Sequence, residues 1–196
     1  MSGIDLKQIE KNYSLKEDYE IERIATSKSH GLRPEVYQII ENEIKKRSLN
    51  PNLLQGVIAQ NREYSIDEII EFSRVLRCLP CPYCGSKAKK LNGVFIYKIK
   101  SFILFTYTEV KKYVACSECL DSKCTKAIVS NLFLGWWGFP MGLIKTPFYI
   151  YKNFNSKSNH RISNSNDALI SFVESNIGYI ESYKDDEVKL KTLINQ

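Results

Sequence analysis

The chain has 196 residues, 43% hydrophobic and 26% charged, with 28 lysines and arginines against 22 acidic residues for a net charge of +6. That size accommodates one domain or two small ones, and the composition excludes a globally disordered, collagenous or coiled-coil chain. The 2 histidines nearly exclude His-based metal or acid–base chemistry, so the 6 cysteines are the informative surplus.

The charge is uneven. Residues 1–77 sum to −1, residues 78–160 to +9 and residues 161–196 to −2. Fifteen of the 23 Phe, Trp and Tyr residues share the basic middle, including both tryptophans, and every basic residue there is lysine. Lysine is a point charge without arginine's planar fork and suits diffuse anionic surfaces.

In chain order, Ser14-Leu15-Lys16-Glu17 reads as a capping box opening a helix over 15–28, with Gly31 as its stop. Pro34-Glu35 opens a second helix to about residue 48, where Glu41/Lys45 and Glu43/Arg47 have the favourable i,i+4 order. Asn50-Pro51 starts a short third helix. Ser65 to Glu68 is another capping box, leading a fourth helix with Ile66, Ile69, Ile70 and Leu76. Leu79-Pro80 ends this bundle. The β-branched and aromatic run from Val94 to Tyr107, followed by Lys112 to Ala115, predicts two or three antiparallel strands, with turns at 98–101 or 108–111. Residues 127–134 read as helix, Gly135 to Gly142 interrupts it, and 143–154 resumes helical spacing around Pro147. A polar linker over 155–166 and one or two amphipathic helices over 167–194 complete the chain. The expected class is α+β, with regions at 1–77 (helical), 78–124 (cysteine-rich, with a β insert), 125–154 (apolar aromatic helical hairpin) and 155–196 (linker and helical tail).

Cys81-Pro82-Tyr83-Cys84-Gly85 and Cys116-Ser117-Glu118-Cys119 are two CxxC units separated by 31 residues. Each can aim two sulfurs at one ion, Pro82 presets the first turn and Gly85 tolerates the positive φ that follows it. The N-terminus shows no apolar signal region, so a reducing cytoplasmic compartment is expected, where such pairs favour metal over disulfide. The candidate ligands are Cys81, Cys84, Cys116 and Cys119, holding one structural Zn²⁺. Cys78 extends the first unit to a triplet that also occurs in iron–sulfur ligation, but the downstream Cys-Pro is missing. Cys78 and Cys124 are expected as small buried residues.

The CPxCG knuckle from Cys81 to Gly85 resembles that of the zinc-ribbon family, with an insert longer than usual and no glycine after Cys119. Taken with Gly135, Trp136, Trp137, Gly138, Pro140 and Gly142, the four cysteines also resemble small bacterial proteins in which a zinc-knuckle pair precedes a GWWGxPxG segment. That resemblance implies a shared architecture and carries no activity.

Residues 127–144 are 18 consecutive uncharged positions. Asn131, the central Gly/Pro break and mid-run tryptophans argue against a membrane span. A bent helical hairpin fits better, and three readings stay open: buried core, contact with a membrane interface, or a protein-docking patch. Candidate membrane or partner contacts are Trp136, Trp137, Phe139 and Lys145. Candidate anion contacts are Lys98, Lys100, Lys111 and Lys112. No Gly-rich phosphate loop, GxSxG or HExxH is present, and His30 and His160 read as surface residues. The expected function is a non-enzymatic, zinc-stabilised interaction module acting at a protein complex or a membrane surface, without a small-molecule substrate. The alternative is a nucleic-acid-binding zinc ribbon using lysines beside aromatics.

Overall fold

The structure is a computed structural model describing residues 5–103 and 105–195. It is mixed helix and strand, consistent with α+β, and divides into two compact units: Met1–Phe72 with Val173–Leu190, and Ser73–Phe172 with Lys191–Gln196. The division falls inside a helix, ahead of the expected boundary at residue 77. No division separates 78–124 from 125–154, because the strands and the helices that follow them pack together.

The first unit is helical. α1 (Leu6–Ser14) starts at Asp5, whose carboxylate accepts from the backbone N–H of Lys7 and Gln8. This helix was not expected, and Ser14 ends it instead of opening the next one. The next helix, α2 (Asp18–Arg23), takes its capping box from Glu17 and Glu20 and runs into a π-helical turn at Ile24–Lys28. Arg47 fixes the change of direction. Its guanidinium donates to the carbonyls of Tyr13, Ser14 and Lys16 at 3.2, 3.1 and 2.5 Å and pairs with Glu43 and Asp18. That supplies a donor to the Ser14 carbonyl at the end of α1, while Tyr13 O also accepts from the backbone N–H of Lys16.

Helices α3 (Pro34–Lys46) and α4 (Leu53–Gln60) follow, and α5 (Ile66–Arg77) begins where the Ser65–Glu68 box predicts. Ile21, Ile40, Leu53, Val57, Ile69 and Ile180 bury their side chains in this unit.

In the second unit, β1 (Asn92–Phe102) and β2 (Phe105–Ala115) form one antiparallel hairpin, in register from Asn92↔Ala115 to Phe102↔Phe105. Both expected turn positions lie inside strands; the chain reverses between Phe102 and Phe105, where Ile103 has φ +30°. After β2 come α6 (Ser117–Leu134) and α7 (Met141–Asn159), which pack on each other and on β1. α7 keeps Pro147 inside it and extends helix into the stretch expected as linker. Two buried asparagines cap the free edge of β1. Asn131 Oδ1 accepts from Ile99 N–H at 3.0 Å while its amide donates to Tyr97 O at 2.7 Å. Asn153 does both to Tyr97, at 2.9 and 2.7 Å. An unpaired strand edge under two helices would otherwise leave buried backbone groups without partners.

The tail forms α8 (Asp167–Ser175), α9 (Ile177–Ser182) and α10 (Glu187–Ile194), with Leu169, Val173, Ile180 and Leu190 buried and Val188 exposed.

Candidate metal centre and apolar face

The hairpin register brings the two CxxC units together. The first knuckle closes as a turn before β1: Gly85 N–H donates to Cys81 O at 2.9 Å, Cys81 N–H donates to Ser86 O at 2.9 Å, and Gly85 has φ +71°. The second knuckle follows β2 directly. Cys116 is the N-cap of α6 and Cys119 lies in its first turn. The missing glycine after Cys119 is thereby explained, because the chain continues as helix and needs no positive φ. Lys89 pairs with Glu118 across the two knuckles.

One sulfur from each of Cys81, Cys84, Cys116 and Cys119 lies within 4.8 Å of the other three, an arrangement that can hold a metal ion. The Cys84 and Cys116 sulfurs are 3.6 Å apart. A tetrahedron of thiolates about 2.3 Å from an ion has edges of about 3.8 Å, so the set needs little adjustment. Burial raises the Cys81 thiol, but N–H donors from Cys116, Tyr83 and Cys84 outweigh it and bring it down to about 6. Burial and hydrogen bonds shared with Cys116, Cys84 and Cys81 push Cys119 up. Four sulfurs this close cannot all ionise without a cation among them. Of the other two cysteines, Cys124 is buried as expected and burial raises it to about 11, while Cys78 is exposed, a correction. Cys78 falls just past the last turn of α5.

The expected membrane or partner contacts lie at the opposite end of the hairpins. Ile103 pairs with Gly138 in an isolated bridge, and Phe139 N–H donates to Ile103 O at 3.2 Å, so the β turn and the α6–α7 loop form one surface. Gly138 and Gly142 permit this approach. A Cβ at Gly138 would stand 2.5 Å from Thr106 Oγ1, and one at Gly142 2.8 Å from Ser101 Oγ. Their GxxxG spacing therefore serves close approach to the strands and, at Gly142, to Gly135 O, which a Cβ would meet at 2.6 Å. Trp137 is 71% exposed, Phe139 76%, Ile103 79% and Phe105 79%. Trp136, Phe133, Leu143 and Ile144 are exposed as well, and Lys145 is half-buried beside them. Residues 127–144 are thus not core. Only Ala127, Ile128, Asn131 and the three glycines turn inward, which overturns the buried reading. Among the described residues no helix is long and apolar enough to cross a membrane.

The four lysines expected as anion contacts do not converge. Lys111 pairs with Glu109 at 3.3 Å, Lys112 donates to Ser171 O at 2.9 Å, and Lys100 is exposed beyond them. Lys98, 3.9 Å from Glu109, instead shares a cavity with Lys123 and Lys126 of α6, which sequence order does not reveal. Tyr97, an aromatic beside Lys98, is half-buried edge-on to Tyr149. His30 is exposed, but His160 is buried, a second correction. It caps α7, with Nε2 3.3 Å from Asp121, which also pairs with Arg161.

No protein-family model, curated protein or solved structure matches the chain.

Proposed function

We propose that this chain is a zinc-stabilised, non-enzymatic interaction module, zinc-ribbon-like at its knuckles, that docks on an anionic membrane surface through the shared end of its two hairpins. The observation that carries the reading is the exposure of Ile103, Phe105, Trp137 and Phe139 on one continuous surface. Exposed apolar surface of this kind marks an interaction site. Charge favours a membrane as the occupant, since the sequence has no Asp or Glu from residue 122 to 166 and the middle region carries +9. Lysines near an anionic leaflet contribute about 1 kcal/mol each, and Lys100 and Lys145 are placed for this role. Aromatic rings at such an end suit the headgroup boundary.

Zinc fits the knuckles because four sulfurs satisfy its tetrahedral preference. They leave no position for a substrate or water, so the ion is structural and fastens the strand ends opposite the apolar surface. The reading is tested by co-sedimentation of the zinc-loaded chain with phosphatidylglycerol vesicles. Binding that weakens with salt is expected. Absence of binding at low salt, with the protein remaining in the supernatant, overturns the membrane assignment.

A further inference from the structure

We propose that the cavity between β1 and α6 binds a phosphate monoester or free phosphate, with Lys98, Lys123 and Lys126 as its cationic contacts and the group supplied by a lipid headgroup or from solution. The cavity is about 280 Å³, lined by Ile96, Lys98 and Tyr113 of the hairpin and by Lys123, Lys126 and Ser130 of α6. Residues 123, 126 and 130 lie at helical i, i+3, i+7 spacing, and Ile96 and Lys98 two apart on a strand, so each element turns one face to the space.

The charge there is poorly balanced. Among the described residues, Lys123 and Lys126 make no ion pair, and Glu109, the one acid near Lys98, is closer to Lys111. Lys123 rests its ammonium over the rings of Tyr83 and Tyr113, at 3.7 and 4.3 Å, a weaker substitute for an anion. Burial lowers its pKa, and the nearby charges of Lys98 and Lys126 act in the same direction. A dianion placed among the three relieves that repulsion, with the hydroxyls of Ser130 and Tyr113 as further donors. Lysines, as compact point charges, hold phosphate without the planar fork of arginine. Lys123 is also attracted by Cys119 and Cys81, so Lys98 and Lys126 are the discriminating positions. Lys98 lies four residues behind Phe102, about 13 Å of strand, a depth that matches headgroup phosphates when the apolar end is inserted. The site rests on the cavity alone and does not require the membrane reading.

The test uses zinc-loaded full chain in two arms, isothermal titration with inorganic phosphate and vesicle co-sedimentation. The vesicles contain phosphatidic acid or phosphatidylglycerol at matched surface charge. Saturable phosphate binding, roughly tenfold weaker in Lys126→Gln and Lys98→Gln and unchanged in a variant of the exposed Lys87, Lys87→Gln, supports the site with a soluble source. A preference for phosphatidic acid that the same two variants lose and Lys87→Gln keeps supports it with a lipid source. Unchanged metal content and circular dichroism show that the variants are folded. No phosphate binding together with no phosphatidic-acid preference overturns the site, as does binding insensitive to both cavity variants. If no vesicle is bound at all, the membrane reading fails and the phosphate arm alone decides the site.

Discussion

In the helical unit, apolar side chains go where their periodicity sends them. Ile21, Ile40, Val57 and Ile180 are buried, and exposed apolar residues such as Leu15, Ile66 and Val188 are far apart in sequence. The hairpin unit inverts this at one end. Its aromatic, charge-free segment, the most core-like stretch of the sequence, is turned outward, while asparagines 131 and 153 are buried against β1. The same composition therefore has two outcomes. Apolar content builds a core where a helix has neighbours on that face, and it stays exposed where two hairpin ends meet solvent together.

The largest expected effect separates the two units by their staples. Replacing Cys81 or Cys119 by serine removes a ligand from a site whose binding energy is folding energy, on the order of 10 kcal/mol for structural zinc. Zinc content should fall to near zero and the resonances of residues 73–172 should collapse in a two-dimensional NMR spectrum. Retained dispersion in the variant would show that the knuckles do not hold this unit.

A smaller loss is expected at the strand edge. Asn131→Leu leaves Ile99 N–H without its acceptor and Tyr97 O without one of its two amide donors, a destabilisation of about 1–3 kcal/mol by urea denaturation. In the helical unit, Gly56→Ala places a Cβ 2.6 Å from Gly178 O and 2.7 Å from Ala25 O. Backbone must shift, and a comparable loss of about 1–3 kcal/mol is expected from overpacking.

The helical unit should lose stability in alkali. Burial raises the pKa of Tyr183, with Glu22 adding to it, and burial likewise raises Tyr179. The folded state then binds more protons than the unfolded one, so this stability is present below the ordinary tyrosine pKa of about 10 and is lost as pH rises beyond it. Thermal melts followed at pH 8 and pH 11 check the sign. The smallest expected effect on stability is that of Trp137→Ser or Phe139→Ser, within about 0.5 kcal/mol, because both side chains are already exposed.

Local signals were legible in the sequence and collective ones were not. The Ser65–Glu68 box and the Pro34 start each depend on a few adjacent residues and form as read. Ser14 has the same lettering, but Arg47, more than 30 residues away, holds the carbonyls of α1, and the next helix takes its box from Glu17 and Glu20. The β turn was missed because hairpin reversals are signalled by Asn, Asp or Gly, whereas apolar residues occupy this one. Ile103 there belongs to the exposed apolar surface. The four cysteines were legible through spacing alone. The convergence of Lys98 with Lys123 and Lys126 depends on how α6 packs on β1, which no local pattern encodes.

The central claim is that the joined hairpin ends are a membrane-docking surface and not displaced core. The most direct test is co-sedimentation of the zinc-loaded chain with phosphatidylglycerol vesicles, comparing the native protein with a Phe105→Ser, Trp137→Ser, Phe139→Ser triple variant. The account predicts binding by the native protein, loss of most of it in the variant, and unchanged melting temperature and zinc content. Equal vesicle binding by both proteins would contradict it, as would a variant that loses binding only because it no longer folds.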